Sequence, residues 1–157
     1  MVKVKTIGMI EKNAKNEPTV KAHANLKNGT IFVISSGVTA YPTEGTSGSH
    51  QTKDLYIALN SGSGDERFTD FVIKKDAFAN GYLLRAWENQ ELVFDESHIE
   101  YGQNQSYSSL NVGTKLVATS SGKFKIESSV TNYGIYFEIT EKMQFCGNGV
   151  SAKIVMN

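Results

Sequence analysis

The chain has 157 residues, with 16 Lys or Arg against 16 Asp or Glu, 39% apolar residues and one cysteine, Cys146. That length fits one domain and lets folding bury about 70% of the unfolded surface. Long basic runs of the kind that grip nucleic acid are absent. No run approaches the ~18 apolar residues of a membrane span, and a lone cysteine makes no intrachain disulfide.

Cys146 suits a small buried hydrophobe and fits synthesis in a reducing cytoplasm. The opening Met1 to Lys5 leads into no continuous apolar stretch, so a secretory signal is not expected. Charge is unevenly spread. Residues 1–27 hold six lysines against two acids, whereas residues 40–104 hold 11 acids against 5 bases. The basic start can steer toward an acidic neighbour, or its lysines can simply be solvated.

Val2 and Val4 alternate with Lys3 and Lys5, a period of two that predicts an opening strand. Lysines on it suit an exposed sheet edge. Residues 11–18 are polar and turn-rich, and Thr19 to Ala24 reads as a second short strand. Asn28-Gly29 is a tight-turn pair leading into the β-branched and aromatic run Thr30 to Ile34. Pro42 to Lys53 reads as an irregular loop. From Asp54 to Asn60, Leu55, Ile57 and Leu59 fall on one face, Tyr56 and Ala58 on the other.

Residues 61–66 form a further loop, and Phe68 to Ile73 a further apolar run. Asn80-Gly81 breaks any helix over residues 76–87, so a turn there and a strand from Tyr82 to Trp87 are expected. Leu92 to Phe94 and Ile99 to Tyr101 flank a charged turn. Thr114 to Thr119 and Lys123 to Ile126 make a hairpin around Ser120-Ser121-Gly122, Gly122 taking the left-handed position. Tyr133, Ile135, Phe137 and Ile139 face one way. Gly147-Asn148-Gly149 turns the chain into Val150 to Met156. Nine or ten short strands at this spacing predict an all-β barrel or sandwich, mostly antiparallel.

The residues that carry chemistry are dispersed. His23, His50 and His98 lack metal-ligand spacing. Gly62-Ser63-Gly64 lacks both the spacers of a nucleophile elbow and the helix that a phosphate loop opens. Asp65, Glu66 and Asp70 are the densest acids but do not follow an EF-hand. Trp87 and the seven tyrosines either offer a sugar-stacking face or fill the interior. No catalytic, cofactor or metal residue is singled out.

Several segments, in consistent order, resemble the head decoration proteins of tailed bacteriophages, also called capsid cement proteins. They are DLYIALN at 54–60, FTDFVIKKDAFANGYLLRAW at 68–87, LNVGTKLVATSSGKFKI at 110–126 and NYGIYFEITEKMQFCGNGVSAKIV at 132–155. The opening VKVKTIGMIEKN is similar too. The resemblance implies a non-enzymatic virion protein, made in the host cytoplasm, that binds the capsid exterior and stabilises the head. Its partner would be the major capsid protein, with self-association, often as trimers, and without cofactor, nucleic acid or membrane.

On this reading residues 1–17 form an extended arm or edge strand and residues 18–157 the core of one domain. Lys3, Val4, Lys5, Thr6 and Ile7 are the candidate capsid-docking residues, since an extended segment can add a strand to a neighbour's sheet. The alternative is a carbohydrate-binding or receptor-binding module of a virion, with Trp87 in an exposed aromatic platform.

Overall fold

A computed structural model describes residues 2–4, 20–43, 54–59, 72–79, 81–144 and 147–157. The fold is all-β, and thirteen strands lie within these residues. In chain order they are β1 (Val2–Val4), β2 (Leu26–Lys27), β3 (Ile31–Ser35), β4 (Val38–Ala40), β5 (Tyr56–Ala58), β6 (Val72–Ile73) and β7 (Gly81–Leu83). Then come β8 (Glu91–Asp95), β9 (Ile99–Glu100), β10 (Lys115–Ala118), β11 (Phe124–Ile126), β12 (Ile135–Gln144) and β13 (Asn148–Met156). Helical structure among the described residues is confined to 3-10 turns at Leu84–Trp87, Glu96–His98 and Tyr107–Ser109. No helix there is long and apolar enough to cross a membrane.

A seven-stranded sheet runs β1-β8-β13-β12-β10-β11-β9, a four-stranded sheet runs β4-β3-β5-β7, and β2 pairs with β6. Every ladder is antiparallel except β9 with β11. The long β12–β13 hairpin is the spine of the large sheet, with its register shifting between Ile139 and Glu141.

Period-two patterning explains how these sheets stack. On β5 and its flank, Leu55 and Ile57 join the main core, while Tyr56 and Ala58 join a second one. Adjacent β3 divides likewise, sending Ile31 to the first core and Phe32 to the second. Alternate side chains of a strand leave opposite faces, so the four-stranded sheet is covered on both. The large sheet supplies the first cover, through Phe94, Phe124, Phe137 and Ile154. Ala22, Leu26, Ile73 and Ala79 supply the second. Phe124 ties the main core together, stacked on Phe94 at 4.4 Å and edge-on to Phe137 at 4.8 Å.

Several expectations change, among them the turn at Gly147-Asn148-Gly149, whose last two residues already belong to β13. The strand expected from Tyr82 to Trp87 ends at Leu83 and becomes a 3-10 turn. There the Leu84 N–H donates to the Leu55 carbonyl, and Leu84 and Trp87, three residues apart, share one buried side. Of the strand expected over Thr19 to Ala24, Thr19 lies outside the described residues and the rest is reduced to single bridges from Lys21 to Val38 and Phe78. Tyr133 leaves the face of Phe137 and packs with Val117, Val130 and Tyr136 on the other side of the sheet. The hairpin expected around Gly122 is present as β10–β11, with Gly122 at φ 77°.

Candidate functional site

Of the five candidate docking residues, Lys3 and Val4 lie in β1, whereas Lys5, Thr6 and Ile7 fall outside the described residues. β1 closes one end of the large sheet by pairing with β8, with Val2 opposite Phe94, Lys3 opposite Val93 and Val4 opposite Leu92. Among the described residues β1 pairs on that side only and is the terminal strand of the sheet. The acids at 65, 66 and 70, the Gly62-Ser63-Gly64 loop, His50 and Cys146 also lie outside the described residues.

Trp87 is 2% exposed, so it belongs to the core and not to a surface platform. Its ring stacks on Tyr82 at 5.5 Å, and its indole N–H is buried without a hydrogen-bond partner. The large apolar side chains that do reach the surface include Phe78, 65% exposed, and Val38, 39% exposed. Both bridge to Lys21, so the three form one outward row.

A cavity of about 500 Å3 lies among the described residues where the two larger sheets meet. One wall is the segment Asn25 to Thr30, another the β10–β11 loop through Ser121, Gly122 and Lys123. Tyr41 and the 3-10 turn Glu96–His98 complete it. The walls are firmly joined. The Ile31 N–H donates to the Gly122 carbonyl at 2.8 Å, and the Gly29 N–H to the Ala58 carbonyl at 2.7 Å. The Thr119 hydroxyl oxygen accepts from the Ser121 and Lys123 amides at 3.3 Å each. Gly122 is required here: a Cβ would lie 2.7 Å from the Ile31 carbonyl oxygen and from Thr30 Cγ2.

Asp95, Ser97 and His98 form the polar floor. Asp95 caps the 3-10 turn, its Oδ1 accepting from the Ser97 N–H at 2.9 Å and from the Ser97 hydroxyl. The same oxygen lies 3.3 Å from His98 Nδ1, longer than a charge-assisted bond. His98 Nε2–H donates to the Asn28 carbonyl at 3.0 Å, which sets the tautomer of the neutral ring. Burial lowers the His98 pKa to about 4, partly offset by the Asn28 bond and reinforced by Lys123 and Lys27.

These three residue types suggest a nucleophile, base and orienting acid, but the geometry does not. A catalytic triad needs serine on one ring nitrogen and the acid on the other. Here Ser97 and Asp95 share the Nδ1 side, and Nε2 is committed to a backbone carbonyl. The cluster is a structural cap that fixes the cavity floor. Among the described residues, no three His, Cys, Asp or Glu side chains converge to hold a metal ion.

Sequence spacing did not single out this cavity, because Lys27, Tyr41, His98 and Lys123 are far apart in the chain. One local signal was present: Asp95-Glu96-Ser97 is a capping pattern, an acid accepting from the residue two positions on. His23, set aside as dispersed, supports the mouth. Its ring meets Tyr41 edge-on at 4.5 Å, and its Nδ1 lies 2.7 Å from the hydroxyl of buried Thr39. Comparisons with protein families, curated proteins and solved structures find no match for this chain.

Proposed function

We propose that this chain is a structural virion protein that binds the outer surface of a tailed-bacteriophage capsid and stabilises the head. The observation that carries the reading is β1, which holds Lys3 and Val4 and is, among the described residues, the terminal strand of the seven-stranded sheet. A partner strand laid along β1 would gain backbone hydrogen bonds without a side-chain motif, and the sheet behind it would hold the contact stiff. Repetition over a shell turns such modest contacts into firm retention. The ordered resemblance to decoration proteins also supports it, and its segments coincide with β5, β6–β7, β10–β11 and β12–β13. The exposed row of Val38, Lys21 and Phe78 offers a second contact, to the capsid protein or to another copy.

The test is co-sedimentation with empty heads assembled from the major capsid protein of the same genome. The full chain should pellet with the heads, and a variant lacking residues 1–10 should stay in solution while remaining folded by circular dichroism. Equal retention of the truncated chain would reject the docking role of the N-terminal segment. Failure of the full chain to pellet would reject capsid binding itself.

The carbohydrate- or receptor-binding reading loses Trp87 as its platform, since that ring is in the core. One observation still favours it: a polar cavity with an aromatic ring at its mouth.

A further inference from the structure

We propose that the cavity bounded by Lys27, Tyr41 and Lys123 binds a small anionic saccharide, a sugar ring bearing a carboxylate or phosphate. The inference deepens the carbohydrate-binding reading and is independent of capsid attachment.

Size comes first. About 500 Å3 lies within the range of clefts that enclose small ligands and is far too small for a folded partner. Charge comes next. Lys27 and Lys123 line the cavity from two of its walls, both are exposed, and neither is in an ion pair among the described residues. Asp95 lines the floor and is bound by Ser97, and Glu100, which does not line the cavity, accepts from the Ser121 hydroxyl. With His98 neutral, the lining sets the two lysines against the single carboxylate of Asp95, a net charge of +1, and Ser97 holds that carboxylate in the cap.

The remaining lining suits a sugar better than a bare ion. Tyr41 is 37% exposed and held by the edge contact with His23, so its ring is a fixed apolar surface for a sugar's C–H face. Thr30 adds a hydroxyl-bearing side chain to the wall, while the Ser121 hydroxyl is held by Glu100 and Thr119. The cross-links through Gly122 and Thr119 hold these groups in place before binding, which lowers the ordering cost. A simple anion would use the lysines and leave the ring idle. A neutral sugar would use the ring and leave the lysines unpaired.

The experiment is a titration of the isolated full-length protein, followed by amide chemical shifts. The probes are glucuronic acid, glucose 6-phosphate, glucose and acetate. Either charged sugar should give saturable shifts at Lys27, Tyr41 and Gly122, with about millimolar affinity and at least about tenfold over glucose and acetate. Glucuronic acid and glucose 6-phosphate separate the carboxylate from the phosphate form. Lys27→Gln and Lys123→Gln alter exposed side chains and should each weaken binding about tenfold, while Tyr41→Ala should bring the charged sugar down to acetate's level. Several results would overturn the proposal: no saturable shift up to about 20 mM, glucose binding as well as the charged sugars, acetate matching them, or Lys→Gln variants binding unchanged. Because no capsid is present, none of these outcomes bears on head binding.

Discussion

Gly81 opens β7 beside Ala58 of β5, and replacing it with alanine tests the stacking of the inner sheet. Its φ is not in the left-handed region, so the backbone accepts alanine there. By conformational entropy alone, Gly81→Ala should stabilise the fold by about 0.4–1 kcal/mol. The packing predicts the opposite sign. An added Cβ would stand 2.2 Å from Phe32 Cζ and 3.1 Å from both Cε atoms, so it points at the tip of the ring. Ordinary contact begins near 3.4 Å, leaving an overlap of roughly 1 Å to be relieved. Phe32 is 1% exposed and stacked on Tyr56 at 5.7 Å, so the ring has nowhere to retreat. Overpacking of this kind costs about 1–3 kcal/mol, and the upper end applies here.

For a chain of this size that loss lowers Tm by about 6–12 °C. Chemical denaturation and thermal melts of Gly81→Ala, Phe32→Leu and the double variant measure it. Shortening the ring removes the clashing atoms, so the double variant should be at least about 1 kcal/mol more stable than additivity predicts. A Gly81→Ala protein as stable as the parent, or strictly additive variants, would refute the contact as drawn.

Three further outcomes follow from the same structure. Gly122→Ala combines a left-handed backbone, costing about 1–2 kcal/mol, with a clash against the Ile31 carbonyl; denaturant titration should show a loss of about 3 kcal/mol or more, and a loss below about 1 kcal/mol would contradict the junction. His98, lowered to about 4 in the fold, binds fewer protons there than in the unfolded chain between that value and its ordinary 6.5. Stability is therefore complete above about pH 6.5 and falls as pH drops toward 4, by up to about 3 kcal/mol, and His98→Gln should flatten that part of the profile. Trp87 is the only tryptophan, so its emission should be blue-shifted and shielded from iodide until unfolding. Trp87→Phe removes an unpartnered buried N–H and should cost no more than about 1 kcal/mol; iodide quenching of the native protein would place the ring outside the core.

The alternation from Leu55 to Leu59 was legible, because a period of two survives whatever covers the two faces. That both faces are buried was not, since apolar residues on either side look alike without the second core. The β10–β11 hairpin was legible through Ser120-Ser121-Gly122, where local turn chemistry and tertiary structure agree. Gly81 misled: beside Asn80 it reads as a turn residue, yet its lack of a side chain makes room for Phe32, a residue far back in the chain. The 3-10 turn at Leu84–Trp87 was hidden for a similar reason, since the Leu84 amide turns toward the Leu55 carbonyl. Lys27, Tyr41, His98 and Lys123 meet only because two sheets dock, and no spacing along the chain encodes that meeting.

The most direct test of the proposed capsid role is a cryo-electron microscopy map of mature phage particles recovered from cells that express this chain. The account predicts β-rich density on the outer shell, shaped like the stacked sheets, with the N-terminal strand against the capsid protein and the edge of β1 at the contact. Particles whose outer surface lacks this chain, in preparations where it is abundantly expressed, would contradict it.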